Sequence, residues 1–233
     1  MVYNFLILSL LFMIPGIIIY AVRKDLRSVI HVMALCSIPF AFTERFFYPS
    51  YWEPVFLFNL IDIIGFGIED ILFVIGLAAF TSTSYAFFTK QFYQSIQKLN
   101  AKQLVYRCLM VLVPAFLLVG LMVLTGIKMI FGSLFIMVFI SSIMTIFRKD
   151  LLRAGLLGGF FSTIIYTVLC LCIALFFPGI FQLTWHTDQF LNLFILGIPV
   201  EEIFYAYTSG MIATVFYPFV FHLTFYRKAS EKL

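Results

Sequence analysis

Seven stretches of roughly 20 mainly apolar residues, divided by short connections, constrain this chain more than any single motif. They fall at about 2–22, 28–47, 65–88, 104–124, 129–147, 154–177 and 196–225. About 20 residues of helix cross a bilayer's hydrocarbon core, and only helices or closed barrels satisfy their own backbone polar groups there. The windows predict an all-α integral membrane protein with seven transmembrane helices. Composition agrees, since 63% of the residues are hydrophobic and 11% charged, whereas a soluble domain is about half apolar and a quarter charged. That excludes an ordinary soluble enzyme. A net charge of +4 gives no nucleic-acid signal. The first window has neither basic residues ahead of it nor a small-residue cleavage site, so it reads as a retained span.

Alternating the connections separates the charges. Opposite the N-terminus lie Arg23, Lys24, Arg27, Lys90, Lys98, Lys102, Arg107, Arg148, Lys149, Arg153, Arg227, Lys228 and Lys232, which is all 15 Lys and Arg except Arg45 and Lys128. The positive-inside rule then predicts a multi-pass cell-membrane protein with its N-terminus outside and its C-terminus cytoplasmic. Acids do the reverse: Glu44, Glu53, Asp62, Glu69, Asp70, Asp188, Glu201 and Glu202 open toward the non-cytoplasmic side.

The chain also repeats itself. The first span ends Val22-Arg23-Lys24-Asp25-Leu26 and the fifth ends Phe147-Arg148-Lys149-Asp150-Leu151. Each is followed by a span, a connection rich in aromatics and proline, and a span that opens on two acids. Those openings are Gly65-Phe66-Gly67-Ile68-Glu69-Asp70 and Gly197-Ile198-Pro199-Val200-Glu201-Glu202. We expect two parallel three-helix units, 1–90 and 129–233, joined by a loop and fourth helix over 91–128. Parallel repeats commonly hold a site between them.

An acid inside a span costs roughly 2.5–3.5 kcal/mol on insertion scales, so it faces a partner or a cavity. Glu69, Asp70, Glu201 and Glu202 are the candidate catalytic residues. Adjacent helical residues stand about 100° apart, so one acid of each pair can face the bundle while the other faces a neighbour. An acid kept neutral can donate a proton to a weak base, and its carboxylate can steady a cation or recover a proton. The same residues also suit a helix N-terminus as caps. Glu44, beside Arg45, fits an interfacial ion pair as well as a site. Phe73, Phe204 and Tyr205 follow the acids by about one turn, and aromatic faces attract cations.

Other features are structural. Cys36, Cys108, Cys170 and Cys172 read as apolar packing residues. Gly155 and Gly159 form a GxxxG suited to helix packing, and Thr81 to Ser84 suit back-bonding to their own helix. The histidines show no metal-ligand spacing, and no glycine-rich phosphate loop is present. Neither a metal nor a cofactor is implied.

Gly197-Ile198-Pro199-Val200-Glu201-Glu202, followed by Ile203-Phe204-Tyr205, resembles the G-x-P-x-E-E-x-x-F signature of the membrane-embedded lycopene cyclases. These occur as two small bacterial subunits, as a tandem chain in archaea and other bacteria, and fused to phytoene synthase in fungi. The resemblance, to the tandem form, covers nearly the whole chain. It implies non-redox ring closure of a linear, lipid-soluble carotenoid such as lycopene: an acid protonates a terminal double bond, a neighbouring alkene attacks the cation, and proton loss leaves a ring. Pro199, Glu201, Glu202 and Phe204 carry over from the second half, and Glu69, Asp70 and Phe73 from the first. Gly67 stands where the family has proline, Asp70 where it has a second glutamate, and Thr43-Glu44-Arg45-Phe46 where many members have a Trp-Asp-Asn-Tyr-like segment. Self-association and contact with other carotenoid enzymes stay open.

Two other classes compete. A small proton-coupled transporter or a lipid-binding membrane protein also suits parallel repeats with intramembrane acids. A retinal-type receptor does not fit, because the seventh window has no interior lysine for a Schiff base.

Overall fold

The structure, a computed structural model, describes residues 3–227. Lys228 and Lys232, counted above on the basic side, and residue 2 of the first window lie outside the described residues. Among the described residues seven helices are long and apolar enough to cross a membrane: α1 (Asn4–Val22), α2 (Lys24–Phe46), α3 (Ile68–Phe88), α4 (Ala101–Thr125), α5 (Met129–Phe147), α6 (Lys149–Phe176) and α7 (Val200–Val220). The protein is an all-α, multi-pass membrane protein.

Two windows differ from the helices in instructive ways. Over 28–47 the chain is α-helical only to Ser37 and continues as a 3-10 helix from Ile38 to Phe46. Pro39 lacks the N–H that an α-helical ladder needs, and the tighter coil follows. The window 196–225 is helical only from Val200 to Val220. Among the described residues four short strands also form, namely β1 (Phe92–Ser95), β2 (Phe194–Ile195), β3 (Ile198–Pro199) and β4 (Leu223–Tyr226), and none was expected from periodicity.

The acid-bearing helices α3 and α7 sit centrally. α3 packs mainly on α1 and α2, α7 mainly on α6 and α5, and α1 and α3 meet α6 and α7 across the middle. Between apolar helices in lipid the cohesion is close van der Waals contact. Glycine provides it where α6 meets α7: a Cβ on Gly159 would stand 2.8 Å from the Tyr207 carbonyl oxygen, and one on Gly155 2.9 Å from Val215 Cγ1. The Thr81 to Thr83 hydroxyls each donate to the carbonyl four residues back, at 2.6 Å. α4 stays peripheral, packing chiefly on α5.

At the basic end the two Arg-Lys-Asp-Leu segments make the same turn. Arg23 pairs bidentately with Asp25 at 2.8 and 2.7 Å, and Arg148 with Asp150 at 2.8 and 2.6 Å. Each pair leads into one 3-10 turn that fully buries Leu26 or Leu151. Arg23 also donates to the Gln91 carbonyl after α3, and Arg148 to the Leu223 carbonyl after α7, both at 2.7 Å. The strands that follow, β1 and β4, pair antiparallel, with Phe92 opposite Tyr226. At the acidic end Trp52 bridges to Trp185, with Glu53 N–H donating to the Thr184 carbonyl at 2.8 Å and His186 N–H to the Tyr51 carbonyl at 3.0 Å. Matching segments of the two halves therefore meet at both ends of the bundle.

Candidate active site

The paired acids at the start of α3 and α7 divide their work. The first acid of each pair ties down the preceding loop: Glu69 Oε1 accepts the Leu57 N–H at 2.6 Å, and Glu201 Oε1 accepts the Leu191 N–H at 2.9 Å. A hundred degrees further round the helix, the second acid faces a shared cleft between the halves. Asp70, Glu202 and Glu44 all line it, and all are at least 92% buried.

Glu202 sits among three donors. Its Oε1 accepts from the Tyr51 hydroxyl at 2.8 Å and the Trp185 indole at 2.9 Å, and its Oε2 is bonded to the Tyr166 hydroxyl. An indole N–H can only donate, so Oε1 is an acceptor. Tyr166 comes from α6, Trp185 from the loop after it, and Tyr51 from the opposite half. Burial first, and then the adjacent Glu202, hold the Tyr51 phenol well above its ordinary range, so it stays a neutral donor.

The first-half centre is built otherwise. Asp70 Oδ2 accepts the Gly67 N–H at 2.6 Å, closing a capping box at the start of α3. Glu44 Oε1 accepts the Trp52 indole N–H at 2.6 Å, and Glu44 and Asp70 line the same cleft. Glu44 therefore faces Asp70 and Trp52, and the ion pair with Arg45 does not form.

The cleft encloses about 70 Å³, below the usual range of about 300–1,000 Å³ for small-molecule sites, so a bulky end group needs its walls to part. Phe73, Tyr205, Leu8 and Ile130 supply apolar wall. Phe40 on α2, 54% exposed, marks the side that opens outward between helices. Phe204 is half exposed and lies outside the cleft. Pro199 is buried in β3 at the N-cap of α7, opposite Phe194, and sets the entry to the helix rather than the wall of the cleft.

Tyr51, Trp52, Tyr166 and Trp185 were not singled out by sequence reasoning. One signal was available: the chain has two tryptophans, and they occupy matching connections ahead of the two acid pairs. Tyr166 carried none, being one aromatic among many in an apolar helix.

Residues 128–220 match the family model described as lycopene cyclase. This segment is similar to the lycopene cyclase family. No curated protein and no solved structure matches the chain. The matched segment contains Pro199, Glu201, Glu202, Tyr166 and Trp185, while Glu44, Tyr51, Trp52 and Asp70 reach the cleft from outside it. A lycopene cyclase domain implies a lipophilic carotenoid substrate and a membrane setting.

Proposed function

We propose that the chain is a carotenoid cyclase that closes a ring on a linear end group by acid catalysis, without net oxidation. The observation that carries this reading is one cleft bearing two unlike acid centres, an Asp70–Glu44 pair and a Glu202 surrounded by donors. The pair gives its proton to a terminal alkene carbon, forming a C–H bond and a tertiary cation. The neighbouring alkene attacks that cation and forms the ring C–C bond. Glu202 then removes a proton from a carbon beside the new cation, and returning it to the pair restores the enzyme. Product and substrate are isomers, so no electrons leave. The faces of Phe73 and Tyr205 steady the cation on its way.

Substrate enters sideways from lipid past Phe40, because a long polyene is insoluble in water. The two three-helix units, 1–90 and 129–233, are a duplication whose matching turns, strands and tryptophans support that reading. The charge asymmetry supports an N-terminus and a cleft mouth on the non-cytoplasmic side.

Expression in a host that accumulates lycopene, with pigments separated by chromatography, tests the activity. Cyclic carotenes are expected, each ring gaining one deuterium when isolated membranes convert unlabelled lycopene in D2O. Unchanged lycopene, with folded protein in the membrane, would overturn the reading. A pH-gradient-driven uptake into vesicles would then favour the carrier.

A further inference from the structure

We propose that the basic end of the bundle carries a phosphate-binding site built from Arg107, Arg148 and His222. These residues come from α4, the α5–α6 turn and the segment after α7, and they converge on one tight turn, 219–223. Arg107 Nη1 donates to the Phe219 carbonyl at 2.8 Å and Arg148 Nη2 to the Leu223 carbonyl at 2.7 Å. His222 lies between those carbonyls with φ at 54°, a left-handed conformation unusual for a residue with a side chain.

Two nitrogens of this cluster are buried without a partner among the described residues: Arg148 Nη1, a donor, and His222 Nδ1, which donates in one of its tautomers. Leaving such groups unpartnered is costly, and Arg148 Nη1 asks for an acceptor. The first half shows what the alternative looks like. There Arg23, in the same turn, spends its Nη1 on the Ala86 carbonyl at 3.1 Å. In the second half Arg107 takes the carbonyl of Phe219, and the Nη1 of Arg148 is left over.

The charge balance points to an anion. Asp150 is the acid facing this cluster, and it is committed to Arg148 and, at 3.4 Å, to Thr224. It offsets Arg148 alone, and Arg107 has no acidic partner among the described residues. Burial, Arg107 and Arg148 hold the His222 imidazole below its usual range, a stress that an anion relieves. A tetrahedral phosphate offers acceptors in several directions and suits guanidinium donors. At the edge of a spanning bundle two sources present one, a lipid headgroup and free phosphate.

The site is independent of the cyclase reading and is tested by binding. The full chain in detergent is given phosphatidic acid or phosphatidylcholine and read by native mass spectrometry, with inorganic phosphate as competitor. Preferential retention of phosphatidic acid is expected, falling about tenfold in Arg107→Gln and in His222→Gln and unchanged in Lys102→Gln, a control cation elsewhere on α4. Retention insensitive to inorganic phosphate assigns a lipid headgroup to the site, and displacement by it assigns phosphate in general. Equal retention of the two lipids would overturn the proposal. So would equal loss in Lys102→Gln, or no loss in the two site variants.

Discussion

The acid centres of α3 and α7 begin from one sequence pattern and end as different devices, and the difference starts at the residue three before the second acid. Gly67 has an N–H, which Asp70 accepts at 2.6 Å, so its carboxyl folds back on its own helix. Pro199 has none, and α7 has no side-chain cap. The longer Glu202 reaches outward instead, to Tyr51, Tyr166 and Trp185. A Cβ at position 67 would also stand 2.6 Å from Glu69 Oε2 and from Phe56 Cδ1. Gly67 and Asp70 are therefore one coupled departure from the family signature. They turn one acid into a partner for Glu44 and leave the other as a hydrogen-bond acceptor.

The largest effect expected is at Glu202. Glu202→Gln should lower ring formation about a thousandfold, as loss of a general acid–base group does, with normal protein in the membrane. Glu201→Gln, which disturbs only a loop anchor, should keep most of the activity. Equal loss in both would break the division of labour between the two acids of a pair. Asp70→Asn should follow Glu202→Gln closely. Glu44→Gln, leaving one acid of the pair, should cost roughly a hundredfold, at the low end of that range. Pigment analysis from matched membranes reads all four.

Much of this was legible before any coordinates. The seven spans followed from apolar windows, because lipid leaves the backbone few alternatives, and the duplicated acid openings marked the residues at the cleft. Which acid of each pair faces it was not legible, since a 100° step has no meaning until the helix neighbours are placed. Nor were the β1–β4 ribbon and the Trp52–Trp185 bridge, which are long-range pairings of short segments. Phe204, chosen for its spacing after the acids, faces outward, while Tyr166, with no spacing signal, reaches Glu202.

A middle-sized effect separates the donors around Glu202. Tyr166→Phe and Trp185→Phe each remove one hydrogen bond to a carboxyl group, worth about 1.5–3 kcal/mol when the acceptor is charged. If that bond is made in the transition state, each should lower the turnover rate about ten- to a hundredfold with little change in substrate retention. The equivalent change at the other centre, Trp52→Phe, acts through Glu44 and should cost less. A larger effect at Trp52 would reverse the ranking of the centres.

Gly67→Ala should lower the melting temperature in detergent, since the added Cβ crowds Glu69 and Phe56, at a cost of about 1–3 kcal/mol. Gly67→Pro adds loss of the N–H to Asp70, so it should reduce activity beyond what the stability loss explains. Activity tracking stability alone in both variants would separate Asp70's cap from its chemistry.

The smallest effect concerns Tyr51, which crosses from the first half to the second half's acid. Its phenol sits well above the ordinary range because it is buried and next to Glu202. A group whose folded value is raised gives stability that is complete below the unfolded value, about 10 for tyrosine. That stability is lost as pH climbs from there toward the folded value. Native protein should therefore lose stability progressively above about pH 10, and Tyr51→Phe should flatten that decline while leaving neutral stability only slightly lower. Detergent melting curves across alkaline pH would read the slope. An unchanged slope in Tyr51→Phe would mean that the link between the halves does not rest on a neutral phenol, and the first half's contribution to the Glu202 centre would then be steric.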